Sequence, residues 1–128
     1  MTTAVKRRPK YLDLRKIHLP IPGLVSILHR ISGAVLFLLF IPLGLFALQG
    51  SLASEQGFSA WTGLFANPLV KLILIGFIWA GVHHFLAGIR YLLLDVHIGV
   101  ELQPARLSSK IVMVLSLAIT LLLAIKLW

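Results

Sequence analysis

Residues 23–48 read GLVSILHRISGAVLFLLFIPLGLFAL, and this stretch decides the fold. At about 1.5 Å per residue, a helix of this length crosses a hydrocarbon core about 30 Å thick with some tilt. Residues 33–48 carry no charge, while the first third holds Ser26, His29, Arg30 and Ser32. Two further stretches have the same character. Residues 68–94 start at Pro68, a residue tolerated at a helix start, and carry Lys71 near the beginning and His83, His84 and Arg90 towards the end. Residues 108–128 have no charge between Lys110 and Lys126. The chain is 59% hydrophobic and 12% charged over 128 residues, with a mean hydropathy of +0.96. A soluble domain of this size has too little interior to hide that surface. The expected fold is an all-α membrane protein, with three transmembrane helices forming part of a larger, multi-subunit helical bundle.

The connecting segments complete the plan. Residues 1–22, MTTAVKRRPKYLDLRKIHLPIP, form a basic lead-in on the cytoplasmic side, ending in two prolines that discourage a helix from running through it into the span. The apolar run behind it is too long for a signal-peptide core and no A-x-A-type site follows, so the segment is expected to be retained. Residues 49–67 are rich in Gly, Ser and Asn breakers and are expected to be a loop. Residues 95–107 are a second, short polar loop. The spans and their loops make one domain, residues 23–128.

Six of the twelve basic residues (Lys6, Arg7, Arg8, Lys10, Arg15 and Lys16) precede the first span. Cations flanking a span set topology or touch anionic lipid. No basic and aromatic platform accompanies them, which argues against nucleic acid as the reason for the net charge of +8. Arg90, Arg106 and Lys110 surround the second loop, whereas the other side offers only Lys71 and Lys126. The bias places the N-terminus in the cytoplasm and the C-terminus outside. The absence of cysteine excludes disulfides and thiolate metal or iron–sulfur ligation within this chain.

This topology puts the start of the first span and the end of the second in one leaflet. Ser26, His29, Arg30, His84, Arg90 and Asp95 therefore share the inner half. An ionisable residue in the bilayer costs about 2.5–3.5 kcal/mol even on a lenient scale, so each invites a functional reading. Ser26, His29 and Arg30 lie on one helix face by their i,i+3 and i,i+4 spacing, and present a hydroxyl, an imidazole and a guanidinium together. The competing reading of Arg30 and Arg90 is snorkelling to the interface. Of the two adjacent histidines, His84 has Gly81 and Gly88 on its face, where missing side chains leave a slot for a flat cofactor. His83 has Trp79 and Leu86 instead. The same glycines also suit close helix packing, and a histidine can simply satisfy another helix.

At these residues the sequence resembles the cytochrome b subunits of succinate dehydrogenase. Ser26-Ile27-Leu28-His29-Arg30-Ile31-Ser32-Gly33 resembles that family's SxxHRxSG motif, and His84-Phe85-Leu86-Ala87-Gly88-Ile89-Arg90 through Asp95 resembles its HxxxGxRHxxxD motif. Arg8-Pro9 followed by Leu12-Asp13-Leu14 is similar to its lead-in. Tyr91 stands where the family commonly has histidine, and Leu94 where an aromatic or methionine is usual.

The resemblance implies a membrane-anchor subunit of succinate:quinone oxidoreductase, and the lack of a transit-peptide pattern points to a bacterial inner membrane. It implies a flavoprotein subunit, an iron–sulfur subunit and a second small anchor subunit as partners. His84 would be an axial ligand of the iron of haem b, with the second ligand from the other anchor. Ser26 and Arg30 would bind the quinone, with His29 and Arg30 near a haem propionate. The chain is then a subunit of an enzyme and not a catalyst alone. Ser26 can hydrogen-bond a quinone carbonyl, and Arg30 can stabilise negative charge developing on it. Arg30 stays protonated and cannot be the proton donor, which leaves Asp95 or ordered water. The alternatives are a cofactor-free structural or assembly subunit and a fumarate reductase-type anchor running the chemistry in reverse. A transporter fits poorly, because no acidic residue lies mid-membrane and no internal repeat is seen.

Overall fold

The computed structural model describes residues 18–128; most of the basic lead-in, residues 1–17, lies outside the described residues. Helix α1 (Ile21–Val35) passes through a five-residue π-helical turn (Leu36–Phe40) into α2 (Ile41–Ala53), and the three are continuous. A short helix α3 (Glu55–Ala66) follows, then α4 (Pro68–Asp95) and α5 (Leu102–Leu127). Three helical stretches, Ile21–Ala53, Pro68–Asp95 and Leu102–Leu127, are long and apolar enough to cross a membrane.

The π turn has an identifiable cause. Pro42 has no N–H for the carbonyl of Leu38, and its ring crowds that carbonyl. The preceding turn widens, and the Ile41 N–H reaches back to the Leu36 carbonyl, five residues earlier.

The expected loop at 49–67 is instead mostly helical. Ser54 breaks the first helix with extended backbone and caps α3, its hydroxyl accepting from the Gly57 N–H at 3.0 Å. The Gly50 position is where the Trp61 indole packs onto α2, leaving no room for a Cβ. Trp61 also meets Phe46 edge-on at 5.7 Å. Gly50 and Gly57, read as breakers, thus serve close approach between two helices, whereas Gly63 faces open space. Asn67 then caps α4 by accepting from the Leu69 N–H at 2.9 Å, with Pro68 in the first turn.

The other connection is shorter than expected. At the end of α4 the Ile98 N–H bonds the Leu93 carbonyl and the His97 N–H bonds the Leu94 carbonyl, with His97 at φ 62°. That is a Schellman ending in which histidine takes the left-handed position usually given to glycine. Gly99 at φ 77° completes the turn, and α5 begins at Leu102.

Helix α4 packs against both α1 and α5, and α1 also touches α5. The residues buried between them are mostly small or polar: Val25, Ser32, Ala80, His83, Ala87, Arg90, Ser109, Val112, Ser116 and Thr120. The large apolar side chains point outwards, with Phe37, Leu52, Leu69 and Val114 each more than two-thirds exposed. This distribution suits helices in lipid, where small residues permit close packing and the outer surface is apolar.

Candidate functional site

The antiparallel contact of α1 and α4 brings His29 beside His84. Their imidazole rings stack with centroids 4.2 Å apart and planes within 10°. The Tyr91 ring also lies against His29, tilted, at 5.1 Å.

His84 is held through one nitrogen. Its Nδ1 lies 3.1 Å from the His29 carbonyl oxygen and 3.4 Å from Ser32 Oγ. A carbonyl only accepts, so the bond requires the proton on Nδ1 and leaves the Nε2 lone pair available. Among the described residues Nε2 has no hydrogen-bond partner. A carbonyl behind Nδ1–H is the usual arrangement for an imidazole that ligates a metal through Nε2.

The two histidines have different surroundings. His83 is fully buried between the helices and stacks on Trp79 at 5.2 Å, and among the described residues neither ring nitrogen has a hydrogen-bond partner within the distance and angle limits of a good bond. It is enclosed within this chain. His84 is partly exposed.

Neither of the two glycines that the spacing places on the face of His84 is filled by another side chain among the described residues. Gly81 faces open space, and the nearest atom to a Cβ built at Gly88 is His29 Nε2 at 3.8 Å. The glycine in close contact with the His84 ring is Gly33 of α1, where a Cβ would come within 2.8 Å of His84 Cε1. Ser32 and Gly33 were legible as part of a motif. Their contact with His84 was not, since it depends on how two helices are rotated about their axes.

Ser26 and Arg30 are brought together as the i,i+4 spacing predicts, with Arg30 Nη2 donating to Ser26 Oγ at 3.3 Å. Arg30 is exposed on the surface of the chain, next in sequence to the histidine that stacks on His84. Asp95 is exposed at the last turn of α4 and, among the described residues, joins no cluster of metal-ligating side chains. Eleven residues separate it from His84, or about 16 Å along the axis.

Arg90 neither snorkels nor joins this group. It is 6% exposed, with Nε donating to Ser108 Oγ at 3.0 Å and Nη2 to the Ala105 carbonyl at 3.4 Å. It clasps α4 to the first turns of α5 and lies over the Tyr91 ring at 5.3 Å.

No three His, Cys, Asp or Glu side chains among the described residues form a metal cluster. Axial ligation of a macrocycle needs only one histidine from this chain.

These features define a multi-pass membrane protein with one oriented histidine and a serine–arginine pair on a helix it touches. The chain belongs to the succinate dehydrogenase/fumarate reductase transmembrane subunit family, which matches over residues 4–123. It is 36% identical over 123 residues to the succinate dehydrogenase cytochrome b556 subunit of Coxiella burnetii, covering 95% of this chain and 98% of that one. The protein of the same name from Paracoccus denitrificans is 33% identical over 103 residues, 80% of this chain and 78% of the relative. That of Rickettsia felis is 28% identical over 118 residues, 91% and 90% respectively.

Proposed function

We propose that this chain is a membrane anchor of succinate:quinone oxidoreductase that ligates haem b through His84 and contributes Ser26 and Arg30 to a quinone-reduction site. The observation that carries the reading is the His84 imidazole, held by Nδ1–H on a backbone carbonyl with Nε2 left to ligate. The relatives' name, cytochrome b556 subunit, supports the cofactor. The flavoprotein and iron–sulfur subunits of the complex would oxidise succinate and deliver electrons. A second small anchor subunit would supply the opposite axial ligand, because this chain offers one oriented histidine. The N-terminus and the α4–α5 turn would face the cytoplasm and the C-terminus the periplasm, following the basic bias at Arg106 and Lys110.

The residues fit the group. His84 would hold the iron through Nε2, which has no hydrogen-bond partner among the described residues. Haem bound there would supply a one-electron carrier. Arg30 would hold the quinone by a charge-assisted hydrogen bond and favour the negative charge that builds on its oxygen. Ser26, already bonded to Arg30, would fix the direction of that donor and offer its own hydroxyl to the quinone. His29 and Arg30 would also lie near a haem propionate. Asp95, exposed at the α4 terminus, would take up protons from the aqueous phase.

Purified complex tests the reading. A reduced-minus-oxidised spectrum is expected to show b-type bands that disappear in His84→Ala. Ser26→Ala and Arg30→Leu are expected to lower quinone reduction about 10-fold or more, on the scale of one lost charge-stabilising donor, while succinate oxidation with an artificial acceptor persists. A fully assembled complex without haem would favour the cofactor-free structural role. Loss of both activities together would make these residues assembly determinants.

A further inference from the structure

The contact between α1 and His84 goes beyond a ligand and its carbonyl. With haem ligation by His84 as the basis, we propose that Ser32 and Gly33 are positioning residues: together they form a cradle on α1 that fixes the ring orientation and the proton position of the axial ligand on α4.

Ser32 is 3% exposed, so its hydroxyl is withdrawn from competing solvent. The hydroxyl donates to the His29 carbonyl at 2.9 Å. Its proton is thereby spent, and its lone pairs face His84 Nδ1 at 3.4 Å. The Nδ1–H therefore points between two acceptors, the His29 carbonyl at 3.1 Å and Ser32 Oγ, both on one turn of α1. Two acceptors hold a donor's direction better than one. Both also draw the proton's charge and raise the basicity of the ligand.

Gly33 provides the room. A Cβ there would stand 2.8 Å from His84 Cε1 and 3.2 Å from Nδ1. Cε1 lies between the two ring nitrogens, so any shift that relieves the clash also moves Nε2. The His29 ring closes another side by stacking at 4.2 Å. A neighbouring helix thus limits the imidazole more than its own helix does, since Gly81 faces open space.

Ser26, His29, Arg30 and Gly33 form one i,i+3,i+4,i+7 stripe. The helix that orients the haem ligand is therefore the helix that carries the serine–arginine pair, and a rotation of α1 would disturb both.

The test uses the whole complex in detergent, with subunit stoichiometry read on a gel, haem content from b-type bands, midpoint potential by redox titration, and the low-spin ferric EPR signal. Gly33→Ala is expected to assemble with at least a several-fold loss of haem. Ser32→Ala is expected to keep haem but shift the EPR signal, which reports the orientation of the axial imidazoles, and to raise the midpoint potential, because an acceptor on Nδ1–H is lost. Ser32→Thr, which restores a hydroxyl, is expected to return both towards the wild-type values. A haem-containing wild type in which Ser32→Ala leaves the potential and EPR signal unchanged overturns the cradle alone, as does Gly33→Ala with full haem content and an unshifted EPR signal. A fully assembled wild type without haem overturns the haem reading and the cradle with it.

Discussion

On α4, Ala80, His83, Ala87 and Arg90 are buried against other helices, while the twelve residues from Pro68 to Trp79 bury none. The same division runs through the first long helix. Val25 and Ser32 are buried in α1, whereas the π turn and α2 bury nothing. Composition does not explain this, for both halves are apolar. The site-bearing half has small and polar residues where helices meet, and the opposite half has Phe37, Leu38, Leu45, Phe46 and Leu72 pointing outwards. In lipid, an apolar side chain gains little by turning inwards, since lipid tails are as apolar as the protein interior. Close contact arises where a small residue admits a neighbour, as Gly33 admits His84, or where a polar group needs a partner, as Arg90 needs Ser108. The candidate site therefore lies in the more closely packed half, and only α5 continues the packing beyond it, through buried Ser116 and Thr120.

The sharpest way to break this comparison is to add bulk to each half. Ala87 is fully buried with Val25 and Val112, so Ala87→Leu overpacks the α1–α4–α5 contact. It is expected to destabilise by about 1–3 kcal/mol, the usual cost of forcing extra carbons into a packed interior. Gly44 has nothing within 4 Å of a built Cβ, so Gly44→Leu is expected to change stability by about 0.5 kcal/mol or less. Thermal denaturation of the purified complex, followed by visible absorbance, compares the two. Equal losses would mean that another subunit packs the outer surface of α2 as tightly as this chain packs its own helices.

A smaller effect is expected where α4 is clasped to α5. Ser108→Ala leaves the buried Arg90 Nε without its 3.0 Å acceptor. A buried donor that loses its partner costs about 1–3 kcal/mol, less where the space admits water. The same thermal measurement should show a fall in stability below that of Ala87→Leu, with the b-type spectrum intact, because Ser108 does not touch His84. A spectral change would mean that the two ends of the packed half are coupled.

The legibility of the sequence divides along the same line. Three apolar runs were enough for three long helices, because length and hydropathy need no knowledge of packing. The face formed by Ser26, His29 and Arg30 was legible, since helical periodicity within one element fixes it, and the Ser26–Arg30 bond bears that out. The helix in 49–67 was not legible. Its Gly and Ser residues signal a break in isolation, and only Trp61 packed over Gly50 shows that they serve a close approach. Gly33 and Ser32 stayed hidden as partners of His84 for a related reason. The rotation of α1 against α4 is a property of two elements, and spacing along one of them could suggest only Gly81 and Gly88.

Asp95 carries the smallest expected effect, because it lies exposed at the very end of the packed half and, among the described residues, joins none of the contacts around His84. It is exposed where α4 ends in the His97 turn, and about 16 Å of helix separates it from His84. A carboxylate there can shorten the path of protons from bulk water, but ordered water can do the same work without it. Asp95→Asn keeps the shape of the side chain while removing the carboxylate. A loss of quinone reduction of about two-fold is expected, far below the roughly 10²–10⁴-fold of a general acid that touches its substrate, with the haem spectrum unchanged. Quinone reduction equal to wild type across the pH range would remove Asp95 from the proton path and leave water as the carrier. The site would then be confined to the helix contact around His84 and the Ser26–Arg30 pair.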